Sequence, residues 1–70
     1  MAAYTLQSGD FVSAPGLIAW AINGAKFERD RDQMANIVAA TWKLPHDAAL
    51  ALITGKVPYT VTGENVEFSF

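Results

Sequence analysis

The sequence predicts an α+β domain in which three short helices pack on a small antiparallel sheet. Two observations carry that expectation. From Val57 to Phe70, apolar residues alternate with polar ones on either side of Gly63-Glu64. Such alternation around a two-residue turn is the pattern of a β-hairpin. Upstream, apolar residues recur at helical rather than strand spacing, and Pro and Gly punctuate the segments.

The elements follow in order. Tyr4 to Gln7 alternate apolar and polar, which suits a short strand able to add to the hairpin. Ser8-Gly9-Asp10 is a turn signal. Asp10 or Ser13 can N-cap a first helix that has Pro15 in its first turn, and Asn23-Gly24 offers its stop. A second helix is expected from Glu28 to about Lys43, because Met34, Ile37, Val38 and Thr41 form one stripe. Glu28, Asp30 and Asp32 suit the positive end of its dipole. Leu44 precedes a proline and marks the break. Pro45 then opens a third helix that Gly55 closes.

The hairpin register follows from Gly63 occupying the position of a type II′ turn that needs positive φ. Thr62 then faces Asn65, Val61 faces Val66, Tyr59 faces Phe68 and Val57 faces Phe70. All the apolar residues share one face in this register, and a slip by one residue would scatter them. Pro58 cannot donate to a ladder, which places its strand at a free edge.

Seventy residues make a single domain over residues 1–70. With no cysteine, neither a disulfide framework nor a thiolate metal site can form. No apolar run approaches membrane-spanning length and Met1-Ala2-Ala3-Tyr4 has no signal-peptide character, so a soluble cytoplasmic protein is expected. The net charge of −2 disfavours nucleic acid as the main partner, because phosphate binding normally demands a basic surface.

Motifs with chemical meaning are few. His46 is the only histidine, and at a helix start beside Asp47 it reads as a solvent-facing or capping residue. Glu28, Asp30 and Asp32 alternate with Arg29 and Arg31, as on a solvated helix start, and lack the spacing of a calcium loop. Thr54-Gly55-Lys56 ends a helix, whereas a phosphate loop places its Gly-Lys before one. Neither an enzyme nor a cofactor is expected. For Trp20 and Trp42 the core is the favoured place and an exposed interface anchor the alternative, while Phe11, Phe27 and Phe70 add apolar surface that a domain this small cannot easily hide.

The C-terminal third carries two resemblances. The order β-α-α-α-β-β and the tail "ITGKVPYTVTGENVEF" resemble the Cro-like repressors of phages, whose second and third helices form a helix-turn-helix. The corresponding stretch here is Ala35 to Thr54, with Trp42-Lys43-Leu44-Pro45 at the turn. Its second helix is about twice the family's length, and its third offers no Arg, Gln or Asn to read base edges. The segment "ALITGKVPYTVTGENVEF" is also similar to the helix-TGK-hairpin segment of the small head–tail connector family of lambda-like phages. That family continues into another helix. Each likeness covers about a third of the chain.

Together these imply a phage or mobile-element origin, in which small acidic proteins often block a host protein, CRISPR effectors included. The expected function is a non-enzymatic protein-interaction module that inhibits or regulates a host protein by occluding its surface. Phe27, Glu28, Asp30, Asp32, Trp42 and Glu64 form the expected contact surface, an acidic rim suited to a basic, nucleic-acid-binding partner. Homodimerisation is a further expectation. A Cro-like DNA-binding regulator using Lys26, Arg29, Arg31, Lys43 and Lys56 is the alternative reading, and a virion structural role the third.

Overall fold

The computed structural model describes residues 1–70. The elements are β1 (Ala3–Leu6), α1 (Ala14–Ala25), α2 (Glu28–Trp42), α3 (His46–Ile53), β2 (Tyr59–Thr62) and β3 (Asn65–Ser69). This is the α+β arrangement expected, and no helix is long and apolar enough to cross a membrane.

Ser13 caps α1, its hydroxyl accepting from the Gly16 N–H at 3.2 Å, and Pro15 lies in the first turn. Ser8 ties this helix to the hairpin: its hydroxyl accepts from the Ala14 N–H at 2.8 Å and donates to the Glu64 carbonyl. Helix α1 runs past Asn23-Gly24 to Ala25. Gly24 serves packing instead of ending the helix, since a Cβ there would lie 2.7 Å from Met34 Sδ on α2.

Helix α2 ends where Lys43 turns into the left-handed region at φ 57°, and the Leu44 N–H closes back on the Ala39 carbonyl at 2.9 Å. Pro45 stands just outside α3 as its N-cap, one position earlier than expected. Gly55, at φ 78°, follows the end of α3. The Lys56 N–H reaches the Ala51 carbonyl at 3.0 Å and the Gly55 N–H reaches Leu52 at 3.4 Å, which is a Schellman stop.

The sheet order is β1-β3-β2, with both pairs antiparallel. The hairpin has the expected register from Tyr59↔Phe68 to Thr62↔Asn65. Gly63 has φ 62° and Glu64 does not have positive φ, as a type II′ turn requires. The expected Val57–Phe70 pair is not part of the ladder, which stops at Tyr59. Pro58 would stand opposite Ser69 at a hydrogen-bonded position, and it has no N–H to give. Phe70 instead exchanges two bonds with Ala2, at 2.8 and 2.9 Å.

The core is a cluster of Leu6, Ile18, Val38, Leu52, Ile53, Val66 and Phe68 with six alanines and Met34. Small residues on α1 and α3 let three helices sit close together over β1 and β3. They do not reach across β2, every residue of which is exposed.

Candidate functional site

The expected contact residues do not form one surface. Phe27, Glu28, Asp30 and Asp32 stand at the start of α2, with Phe27 exposed at its N-cap. Trp42 stands at the other end, about 15 Å further along the helix than Asp32 at 1.5 Å per residue. Its indole Nε1 donates to the Gln7 carbonyl at 3.0 Å and its ring packs against the core. Trp42, half-buried, therefore pins the end of β1. Glu64 lies in the hairpin turn, beside a shallow hollow formed with residues 8–13.

Two of the three acids at the start of α2 have a partner. Arg29 Nε meets Asp30 Oδ2 at 3.4 Å, and Asp32 Oδ1 meets His46 Nε2 at 3.0 Å. No group of three His, Asp or Glu side chains converges as a metal site would require. Trp20, expected in the core, is 51% exposed on α1.

A different surface carries the geometry of a binding site. Between the C-terminal ends of α1 and α3 and the start of β2 lies an open groove of about 970 Å³. Ile22, Leu50, Val57 and Tyr59 supply its apolar surface. Lys26, Arg31 and Lys56 stand around it, three of the chain's five cations, and no Asp or Glu lines it.

Local structure explains why the cations gather there. Lys26 is the C-cap of α1, and Arg31 Nε donates to the Ala25 carbonyl at 2.9 Å, so both sit at the negative end of that helix. Lys56 follows the Schellman glycine at the end of α3. Each helix end contributes roughly half a negative charge. Three cations exceed that sum, so the groove is positive within an acidic protein.

The Thr54 hydroxyl on the groove wall donates to the Leu50 carbonyl at 2.6 Å, which is a local helix bond. His46 is at the opposite end of α3, about 12 Å away along its axis. No nucleophile–base pair lines the groove.

Arg29 and Lys43 do not line the groove. In α3, Ala48, Ala49, Ala51, Leu52 and Ile53 are buried, leaving His46 and Asp47 as its exposed side chains. A helix so enclosed presents no cation and no amide side chain to a base edge.

The apolar face of the sheet continues beyond the helices. Tyr4, Phe68 and Tyr59 form one row across its strands, and Leu6, Val66 and Val61 form the next. The Tyr4 and Phe68 rings stack with centroids 5.2 Å apart. The β1 and β3 members of these rows are covered to different degrees, whereas Tyr59 and Val61 are 41% and 50% exposed. Comparison with protein-family models, curated proteins and solved structures finds no match.

Proposed function

We propose that this chain is a non-enzymatic protein-interaction module, an inhibitor or regulator of the phage or mobile-element kind. It binds an acidic protein segment through the groove between α1, α3 and β2 and occludes the surface to which that segment belongs.

One observation carries this reading: an apolar groove has three cations around it and no acid in its lining. An apolar side chain of the partner gains from leaving water there, by about 25 cal/mol for each Å² buried. Carboxylates on either side of that anchor meet Lys26, Arg31 and Lys56. The charge pattern selects the partner more than it tightens the complex. Sequence alone places acids around the contact surface. The groove carries the opposite sign, so it favours an acidic partner over a basic one.

The test is a titration of the ¹⁵N-labelled protein at low salt. The probes are a short peptide with one Leu flanked by Asp and Glu, its Lys-substituted counterpart, and a DNA duplex. The acidic peptide is expected to shift the amides of Ile22, Lys56 and Tyr59, and added salt should weaken it. No shift at these amides with the acidic peptide, or preferential binding of the Lys peptide or duplex there, contradicts the reading.

A further inference from the structure

We propose that the free edge of β2 pairs antiparallel with β2 of a second copy, joining two three-stranded sheets into one of six strands. This inference goes beyond the binding role proposed for the groove, with which it shares Tyr59.

The edge has the properties of a strand left open for pairing. Tyr59-Thr60-Val61-Thr62 holds residues that favour strands and no charge, and all four are exposed. Edge strands that avoid pairing are usually very short or carry a charge, a bulge or a proline; β2 is short, with four residues, but has none of the other three within it. Pro58 lies one residue outside β2.

Backbone alternation identifies which groups are free. Thr62 and Asn65 flank the two-residue turn and form its hydrogen-bonded pair, so Thr60 and Glu67 form the next one. The main-chain N–H and C=O of Tyr59 and Val61 then point away from β3. A second β2 running antiparallel satisfies both residues when Tyr59 faces Val61 of the second copy. Thr60 then faces Thr60 of the second copy on the two-fold axis.

Side chains agree with this register. Each exposed Tyr59 gains an apolar neighbour in Val61, on the same face of the sheet. Thr60 meets Thr60 on the polar face. Lys56 precedes the strand and Glu64 follows it, both exposed. Antiparallel pairing brings the cationic end of one strand to the acidic end of the other, twice, whereas parallel pairing would set like charges together. The joined sheet keeps its helices on one face, so both grooves open on the same side. The contact involves four residues per copy, fewer than the 20–30 of a standard interface, and the dimer is accordingly weak.

The chain has no native cysteine, which makes a crosslink unambiguous. In the proposed register Thr60 is in a non-hydrogen-bonded pair, with Cα atoms about 4.5 Å apart, within disulfide reach. Thr60→Cys is expected to oxidise to a covalent dimer several-fold faster than Glu67→Cys. Glu67 is exposed on the same polar face but lies on the central strand. Adding Val61→Lys to Thr60→Cys should remove that advantage, with circular dichroism showing that each variant is folded. Equal crosslinking rates for Thr60→Cys and Glu67→Cys, or a rate unaffected by Val61→Lys, overturns the proposal. The assay uses the chain alone, so its outcome is separate from that of the peptide titration.

Discussion

Tyr59 stands directly opposite Phe68 in the sheet, yet Phe68 is 5% exposed and Tyr59 is 41% exposed. The two share a face and a row, but Phe68 lies on the central strand with Tyr4 and Tyr59 on either side, whereas Tyr59 lies on the edge. The helices add to this difference: they cover β3 and leave β2 open. That uncovered half of the sheet forms one wall of the cationic groove and provides the free edge.

The two tryptophans should behave differently in solution. Trp42 has a packed ring and a bonded indole, whereas Trp20 is half in water. Trp42→Phe is expected to destabilise the fold by about 1–2 kcal/mol, through a lost hydrogen bond and lost packing. Trp20→Phe should change stability by less than about 0.5 kcal/mol. In the Trp20→Phe protein, the remaining Trp42 should emit further to the blue and resist acrylamide quenching. Equal quenching in the two single-tryptophan proteins would contradict this placement.

Gly24 lets α1 approach α2, because a Cβ there would meet Met34 Sδ at 2.7 Å and Cγ at 3.0 Å. Gly24→Val adds bulk where the sulfur lies and is expected to cost about 1–3 kcal/mol. Urea denaturation measures this as a lower midpoint at an unchanged slope. An unchanged midpoint would contradict this and mean that the flexible Met34 side chain moves aside at little cost.

Lys43 holds φ 57°, a region that costs a residue with a Cβ about 1–2 kcal/mol. Lys43→Gly should therefore raise stability by about 0.5–1 kcal/mol once the greater freedom of an unfolded glycine is deducted. Thermal unfolding of the two proteins gives the comparison, and a lower midpoint for the glycine variant would show that the lysine is not strained.

The hairpin was legible because two independent signals agree on it. Alternation on both sides fixes the faces, and Gly63 fixes the turn. Pro15, Pro45 and Gly55 likewise marked helix ends to within a residue or so, and of the two caps open for α1, Asp10 and Ser13, the helix uses Ser13. Gly24 misled because a packing glycine and a stop glycine look alike until Met34 is seen against it. The groove was hidden for a related reason. Lys26, Arg31 and Lys56 are scattered along the chain and meet only because two helix ends converge on β2. Periodicity shows that a face of β2 is apolar; it contains no information about how far the helices extend over the sheet. The acidic start of α2 was easy to find because its charges are contiguous, and Trp42 stood out by its size although its side chain serves the core.

The most direct test of the central claim is the affinity for the Leu-anchored acidic peptide after reversing charge on the groove. The double variant Lys26→Glu and Lys56→Glu replaces two rim cations, and Lys43→Glu changes a cation beyond the end of α2, outside the groove. The account predicts at least about a tenfold loss of affinity for the double variant and little change for Lys43→Glu. Equal affinity in the double variant and the unaltered protein, or as large a loss from Lys43→Glu, would contradict it.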